Sequence, residues 1–256
     1  MSSLVTRFAP APTGFLHLGH VYNAHQVWDF ARKRNSRVLL RIEDHDRFRS
    51  RPEYEAALLE DLEWLGFTAD DPHVRQSERG DVYEQALQKL RMDGLVYACV
   101  CSRTDVGTSR YPGTCSGQQL AEAHGRGIRV RLNPSVERFD DLRLGPQEQR
   151  PSEQCGDLLA RDRHGNWTYQ FAVVVDDWVQ RVTHVIRGED LLESTGRQIQ
   201  LARLLGRTEP PVFLHHPLLM KTPTQKLSKS DADTGVRDLR RKGYSADQVI
   251  AYALRQ

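Results

Sequence analysis

The chain has 256 residues, enough for one large domain or two modest ones, and 39% of them are hydrophobic, which suffices for a buried core. Lysine and arginine exceed aspartate and glutamate by 36 − 34 = 2, so the overall charge neither requires nor excludes a nucleic-acid partner. No apolar run reaches about 18 residues and the N-terminus lacks an apolar signal core, which argues against membrane insertion and export. The composition therefore predicts a soluble globular protein of the cytoplasm.

The first motif, at residues 7–20, begins in a short apolar strand predicted over Leu4 to Phe8. A turn rich in proline and glycine separates this strand from a predicted amphipathic helix, whose apolar positions are Val21, Ala24, Val27, Trp28 and Ala31. A strand-to-helix junction exposes backbone N–H groups and the positive end of the helix dipole, which suits a phosphate-bearing ligand. His17 and His20 are both placed to face such a ligand, and the alternative interpretation is two solvated loop histidines.

A second strand, predicted over Val38 to Ile42, completes a β–α–β unit. Glu43 and Asp44 then fall at the carboxyl end of a parallel strand, where open α/β sheets bind ligands. We interpret Glu43 as a partner for a substrate ammonium group, and the alternative is a solvated loop with internal ion pairs. Two helices follow, from Pro52 to Gly66 and from about Asp81 to Asp93, and both are predicted to be architectural.

Three cysteines, Cys99, Cys101 and Cys115, flank a loop that is poor in apolar residues. Closely spaced cysteines around a loop without a core of its own are typical of a structural zinc site, because the metal supplies the folding free energy. Structural zinc needs four donors, and the candidates for the fourth are Tyr111, His124 and Cys155. The alternative is a set of unligated thiols.

The region from about residue 117 to residue 165 is rich in arginine, glutamine and aspartate and is predicted to be an insertion. It contains one clear strand, Ile128 to Leu132, and a turn around Gly145 and Pro146. The sheet is predicted to resume with a buried strand over Tyr169 to Val175, because this run is too apolar for an edge strand. A further strand ends at Ile186.

The last part of the chain is predicted to be mainly helical. Ser194 or Thr195 caps a helix that Gly206 ends, and residues 236–256 are a second helical segment. Between them, a strand and a turn are predicted over Val212 to Thr224.

A second motif follows that turn and consists of Lys226, Leu227, Ser228, Lys229 and Ser230. Alone, its two lysines would be taken as part of a solvated loop. Together with His17-Leu18-Gly19-His20, it resembles the paired HIGH and KMSKS signatures of the class I aminoacyl-tRNA synthetases. The stretch from Arg7 to Gly14 resembles the RFAPSPTG sequence of the glutamyl branch in particular. Further matches lie at residues 40–47 and 186–199, so the resemblance covers nearly the whole chain.

The resemblance implies an α/β fold with a Rossmann-type parallel sheet, a zinc-bearing insertion, a short helical C-terminal segment and no anticodon-binding domain. The implied organisation is a first catalytic half at 1–98 and an insertion with the zinc site at 99–166. A second catalytic half with the KLSKS loop follows at 167–235, and a helical segment at 236–256. In these synthetases the insertion holds the tRNA acceptor end, so its arginines are candidates for phosphate contacts. They are Arg126, Arg129, Arg131, Arg143 and Arg150, each of which could equally be a solvated surface residue.

The resemblance also implies the chemistry, in which a glutamate carboxylate attacks the α-phosphate of ATP and an acceptor then takes the acyl group. Neither step needs a protein nucleophile, so the catalytic residues position substrates and stabilise charge, with Mg²⁺ bridging phosphate oxygens. The implied catalytic residues are His17, His20, Lys226 and Lys229. ATP binding involves these four together with Gly19, Leu227, Ser228 and Ser230.

The implied glutamate pocket consists of Arg7, Phe8, Ala9, Pro10, Ala11, Glu43, Tyr169 and Arg187. Arg7 and Arg187 are candidates for binding a carboxylate, because a guanidinium can hold both oxygens. Relatives have serine where this chain has Ala11, which removes one side-chain hydroxyl. Short glutamyl relatives also carry a Cys-x-Cys…Tyr…Cys pattern, which implies zinc ligation by Cys99, Cys101, Tyr111 and Cys115.

The length is closest to that of short glutamyl paralogues that attach glutamate to queuosine in the anticodon loop of tRNA(Asp). The predicted function is therefore activation of glutamate without tRNA, followed by transfer to queuosine, by a monomer. The alternatives are a truncated glutamyl-tRNA synthetase that acylates a tRNA 3′ end and a non-catalytic RNA-binding relative. The intact His17, His20 and Lys229 argue against the non-catalytic relative.

Overall fold

The computed structural model describes residues 4–107, 110–222, 225–226 and 235–255. The strands are β1 Val5–Phe8, β2 Arg37–Ile42, β3 Val74–Arg75, β4 Val96–Cys99, β5 Gly127–Val130, β6 Glu137–Asp141, β7 Gly145–Gln149, β8 Leu158–Arg161, β9 His184–Gly188, β10 Val212–His216, β11 Met220–Thr222 and β12 Gln225–Lys226. The helices are α1 Leu18–Arg34, α2 Pro52–Trp64, α3 Gly80–Met92, α4 Arg103–Val106, α5 Pro151–Gln154, α6 Tyr169–Val179, α7 Thr195–Leu204, α8 Val236–Arg241 and α9 Ala246–Arg255. None of the helices in these ranges is long and apolar enough to cross a membrane.

The chain divides into two compact units. The first unit comprises Met1–Glu78, Val182–Leu191 and Phe213–Gln256, and the second comprises Arg79–Arg181 and Leu192–Val212. The two are described separately below.

The first unit is built on a parallel sheet in the order β1-β2-β3. Val5 pairs with Arg37 and Phe8 with Leu40, and Arg41 of β2 pairs with Val74 of β3. Helix α1 connects β1 to β2, so the predicted β–α–β unit is confirmed. The core packs the apolar side of α1 against these strands and against α2, α8 and α9. The prediction of an α/β fold with a parallel sheet is confirmed for this unit.

Local sequence explains where α1 begins and ends. Its N-cap is His17, its last turn carries three basic residues that complement the negative end of the helix dipole, and Asn35 closes it in the left-handed conformation at φ 50°. The predicted helical segment at 236–256 consists of two helices, α8 and α9, because Gly243 adopts φ +87° between them.

The second unit contains an antiparallel sheet in the order β4-β5-β8 and an antiparallel hairpin formed by β6 and β7. Helices α3, α6 and α7 contribute its main core. The hairpin is not predicted from the sequence, because inward positions of β6 hold charged residues. Glu137 is buried in an ion pair with Arg203, and Asp141 accepts two backbone N–H groups of its own turn. The turn predicted around Gly145 and Pro146 exists, but its predicted position is slightly wrong: the turn lies at residues 142–144, and Gly145, with φ 73°, begins β7.

The predicted strand over Tyr169 to Val175 is also wrong, because these residues begin helix α6. Seven consecutive residues from Phe171 to Asp177 are buried, so the run has no polar face from which a helical period could be recognised. Asp176 ends inside the unit, where it accepts hydrogen bonds from Arg79 and Tyr83 at 2.6 and 2.8 Å. The buried carboxylate of Asp176 is thus stabilised inside helix α6, although the apolar sequence before it favours a strand.

Candidate active site and metal centre

The two arginines predicted for the glutamate pocket are both buried on strands of the first unit. Arg7 of β1 donates to the carbonyl oxygen of Ile186 at 3.3 Å. Arg187 of β9 donates from Nε to His215 Nε2 at 3.0 Å and from Nη2 to the carbonyl oxygen of Leu191 at 3.4 Å. Both side chains are almost fully buried, at 4% and 3% exposure. Both guanidinium groups are thus buried and hydrogen-bonded, and Arg7 contacts the residue that precedes Arg187 in β9.

Glu43 lies just beyond the end of β2, where the sequence places it. Its N–H donates to the carbonyl oxygen of Pro10 at 3.0 Å, which ties the end of β2 to the loop after β1. Its carboxylate lies 3.3 Å from Nη2 of Arg41, which is fully buried. Phe8 is a core residue whose ring packs edge-on against Trp28, and Pro10 is buried, whereas Ala9 and Ala11 are half-buried.

His17 and His20 form a reciprocal cap at the start of α1. His17 Nδ1 accepts the N–H of Gly19 at 3.1 Å, and His20 Nδ1 accepts the N–H of His17 at 3.2 Å. The ring centroids are 3.9 Å apart. Because each Nδ1 is an acceptor, each neutral imidazole carries its proton on Nε2, where it can donate to a ligand.

Gly19 lets the His17 ring take this position. A Cβ atom at residue 19 would lie 2.9 Å from Cε1 and 3.0 Å from Nδ1 of His17, closer than carbon atoms pack without displacement. A larger residue than glycine at position 19 would therefore displace the ring of His17, which is a candidate catalytic residue.

The chain that follows the second motif runs beside the first motif. The N–H of Val236 donates to the carbonyl oxygen of Leu16 at 2.9 Å, and Gly235 forms a β-bridge with His17. The backbone of Lys226 lies in β12, which pairs with β11. The Lys226 side chain and the residues Leu227, Ser228, Lys229 and Ser230 lie outside the described part of the chain.

The cysteine cluster lies in the second unit. The Sγ atoms of Cys99, Cys101 and Cys115 lie within 4.8 Å of one another, and those of Cys101 and Cys115 are 3.6 Å apart. The Tyr111 hydroxyl lies 3.6 Å from Cys99 Sγ and accepts the N–H of Cys115 at 2.9 Å. Zinc–sulfur bonds of about 2.3 Å in a tetrahedron place two sulfur atoms about 3.8 Å apart, close to the separation seen here. The donor set therefore fits a four-coordinate structural metal.

The other two candidates for the fourth ligand lie elsewhere. Cys155 Sγ donates to the carbonyl oxygens of Pro151 and Gly156 at 3.0 and 3.3 Å. His124 lies in an exposed turn that lines a separate cleft. Gly156 has φ +67°, and a Cβ there would lie 2.2 Å from the Tyr111 carbonyl oxygen, so glycine permits the close approach that places Tyr111.

Arg129 packs against this cluster, which the sequence did not indicate. Its Nε donates to Cys99 Sγ at 3.3 Å, its guanidinium lies 3.6 Å from the centroid of the Tyr111 ring, and Nη1 donates to the carbonyl oxygen of Asp157 at 2.8 Å. Burial acts to raise the pKa of the Cys99 thiol, but hydrogen bonds from Arg129 and Tyr111 outweigh it and lower that pKa. Burial and the neighbouring thiols raise the pKa of Cys101 to about 11. Arg129 thus favours a thiolate at Cys99.

The remaining arginines of the predicted insertion differ in accessibility. Arg131 donates to the carbonyl oxygen of Ser116 at 2.6 Å and lies over the Tyr97 ring, and Arg126 donates to the carbonyl oxygen of Ala121. Arg150 is paired with Glu148, and Arg143 is exposed. Arg129 and Arg131 are therefore structural in this arrangement. Tyr169, predicted for the glutamate pocket, is the first residue of α6 in the second unit, and its role stays a prediction.

Comparisons with known proteins agree with the motifs. A family model for tRNA synthetases class I (E and Q), catalytic domain, matches residues 3–256. A protein of Rhodobacter capsulatus named glutamyl-Q tRNA(Asp) synthetase is 40% identical, over 96% of this chain and 98% of that protein. One of the same name from Nitratidesulfovibrio vulgaris is 39% identical, over 96% of this chain and 84% of that protein.

A solved structure supports the same assignment. The glutamate-tRNA synthetase of Elizabethkingia anophelis superposes with a TM-score of 0.77 at 28% identity, over 91% of this chain. The chain spans 54% of that longer protein, so the match concerns about half of it. The chain therefore belongs to the class I (E and Q) tRNA synthetase family, of whose catalytic domain it has the sequence and the fold.

Proposed function

We propose that the protein activates L-glutamate with ATP in the absence of tRNA and transfers the glutamyl group to queuosine in the anticodon loop of tRNA(Asp). The observation that carries the proposal is the match at about 40% identity, over 96% of this chain, to proteins named glutamyl-Q tRNA(Asp) synthetase. The glutamyl-type sequence from Arg7 to Gly14 agrees with it.

Glutamate binding is assigned to the ends of the strands in the first unit. Arg7 and Arg187 bind the side-chain carboxylate, because a guanidinium matches two carboxylate oxygens better than an amide. Glu43 pairs with the α-ammonium group, and its buried neighbour Arg41 orients the carboxylate. Ala11 supplies no hydroxyl, so glutamate makes one contact fewer here than beside a serine.

Adenylate formation is assigned to the two motifs. A glutamate carboxylate oxygen attacks the α-phosphorus of ATP, the bond to the β-phosphate oxygen breaks, and pyrophosphate leaves. His17 and His20 donate from Nε2 to phosphate oxygens, and Lys226 and Lys229 neutralise charge that develops on the phosphates. Mg²⁺ that enters with ATP would add further neutralisation of the phosphate charge. In the second step an acceptor hydroxyl attacks the acyl carbon, AMP leaves, and the hydroxyl proton passes to solvent.

The cysteine cluster is proposed to hold one structural Zn²⁺ through Cys99, Cys101, Cys115 and Tyr111. Zinc bound there would cross-link the two sides of a loop that has only a small apolar cluster of its own. Tyrosine is an uncommon zinc donor. The Tyr111 hydroxyl is assigned here because its 3.6 Å separation from Cys99 Sγ is typical of two atoms that bind the same metal ion.

The test is ATP–pyrophosphate exchange by the purified chain, with glutamate and with glutamine, in the absence and presence of tRNA. We expect exchange with glutamate in the absence of tRNA. Exchange with glutamine should be low, since the amide would leave a guanidinium without its second acceptor. Exchange that requires tRNA would favour a glutamyl-tRNA synthetase. Equal exchange with glutamine would reject the assignment of the arginine pair.

A further inference from the structure

The second unit contains a cavity of about 440 Å³ whose walls come from several of its elements. One wall is the start of α6, with Thr168, Tyr169 and Gln170, and another is Arg197 of α7. Tyr111 and Arg129 close a third side. Pockets that bind small molecules or nucleotides commonly have volumes of about 300–1,000 Å³, so this cavity is large enough for one nucleotide.

Arg197 is the polar group in the cavity that lacks a structural role. Its Nε is buried and has no hydrogen-bond acceptor among residues 4–107, 110–222, 225–226 and 235–255. Arg203, one to two turns later on the same helix, shows the contrast, because both of its terminal nitrogens bind Glu137. A buried guanidinium N–H group without an acceptor is costly unless a ligand supplies one.

The surroundings of Arg197 add to this positive potential. It lies in the first turn of α7, where the helix dipole disfavours a cation. Helix α6 also begins at the cavity, and the Thr168 hydroxyl donates to the carbonyl oxygen of Leu159 at 2.5 Å instead of capping that helix.

The carboxylates that line the cavity do not neutralise the guanidinium. Asp157 already accepts hydrogen bonds from the Tyr97 hydroxyl at 2.6 Å and from the N–H of Leu132 at 2.9 Å. Glu193 is exposed to solvent. The cavity is thus lined both by the positive charge of Arg197 and by the aromatic ring of Tyr169. A nucleotide could bind there with its phosphate at the arginine and its base against the ring.

We propose that this cavity binds a nucleotide of the tRNA substrate, with Arg197 bound to a phosphate of that nucleotide. The proposal rests on the proposed function in that the acceptor is a tRNA. It adds that RNA recognition depends on a residue that adenylate formation does not use.

The test compares Arg197→Gln with the wild type and with Arg138→Gln, an exposed arginine of the same unit that is paired only at the surface with Glu148. Queuosine-containing tRNA(Asp) and tRNA(Glu) are the probes, and their binding is measured by fluorescence anisotropy at several salt concentrations. We expect Arg197→Gln to weaken binding of the preferred tRNA by about 10-fold and to reduce the slope of log K against log salt by about 1. In Arg197→Gln, exchange with glutamate should stay within about 2-fold of the wild type. Arg138→Gln should change neither the tRNA affinity nor the salt slope.

Arg197→Lys gives a second arm, because it keeps the charge and should restore most of the salt slope. Unchanged RNA affinity and salt slope in Arg197→Gln would overturn the proposal, as would an equal loss of exchange and RNA binding. If the wild type binds tRNA(Glu) more tightly, the proposed acceptor is wrong. The role of Arg197 is then tested by the effect of Arg197→Gln on binding of tRNA(Glu).

Discussion

The two units hold their candidate sites by different means. In the first unit, His17 and His20 are fixed by reciprocal hydrogen bonds to backbone N–H groups, and Arg7 and Arg187 are fixed by backbone carbonyls and a histidine. In the second unit, three thiols lie within 4.8 Å of one another, and once deprotonated they repel unless an ion lies between them. The first site is therefore built by the sheet and a helix terminus, whereas the second would be completed by the proposed zinc ion.

This contrast predicts that a cysteine substitution separates the two sites. Cys115→Ser should reduce zinc from about one ion per chain to less than about a tenth, because three donors bind structural zinc poorly. Exchange with glutamate should fall no more than about 3-fold, since backbone contacts hold that site. The measurement is elemental analysis of protein purified without chelator, with exchange on the same samples.

Cys155→Ser is the matched control, because that thiol bonds to backbone carbonyls outside the cluster. Its zinc content should equal that of the wild type. A wild-type protein without zinc would refute the metal site, and loss of exchange together with zinc would refute the separation of the two sites.

Lys229→Ala should have the converse effect. If the lysine stabilises charge on the phosphates, its loss costs about 3 kcal/mol and slows exchange by about 10²-fold or more. Zinc content should not change. Lys242→Ala, an exposed lysine after α8, serves as control. A loss of less than about 10-fold in Lys229→Ala would remove this residue from the catalytic assignment.

Arg129→Gln should weaken zinc binding without abolishing it. Partners of metal ligands typically contribute 10–100-fold in affinity, and Arg129 contacts both Cys99 and Tyr111. Competition with a chromophoric chelator measures the change. Arg131→Gln, which stacks on Tyr97, should leave zinc affinity unaltered. Equal affinity of Arg129→Gln and wild type would show that the contact does not support the metal.

The smallest effect is expected from Gly19→Ala. The new Cβ would displace the His17 ring, and a small misplacement of this kind should slow exchange by about 10-fold. The melting temperature should not fall, since alanine favours the helix by about 1 kcal/mol. Gly80→Ala, at the start of α3 with no atom within 4 Å of the new Cβ, is the control. Unchanged exchange in Gly19→Ala would mean that the ring position does not matter.

The sequence predicts the first unit better than the second, for physical reasons. Strand β2 and helix α1 show the periods of their elements, and Glu43 follows from its place at the end of a parallel strand. Helix α6 was mistaken for a strand because it is buried on all sides. Strands β6 and β7 were missed because polar residues such as Glu137 point inward to partners distant in sequence.

The candidate zinc ligands illustrate the same limit. The spacing of the cysteines indicates a metal, but the choice among Tyr111, His124 and Cys155 depends on where β5 and β8 bring the chain. The role of Arg129 could not be read from its sequence, since alternation in β5 does not tell a buried arginine from a solvated one. The fourth ligand and the role of Arg129 both depend on contacts between segments distant in sequence, such as the one between Arg129 and Cys99.

The central claim concerns the acceptor, and it is tested by mapping where the glutamate is attached. The purified chain is incubated with ATP, labelled glutamate and bulk tRNA, and the product is digested and separated into 3′-terminal and anticodon-loop fragments. The account predicts label in the anticodon-loop fragment of queuosine-containing tRNA(Asp) and none when the tRNA lacks queuosine. Label on the 3′-terminal adenosine would contradict it and would identify the protein as an enzyme that acylates tRNA ends.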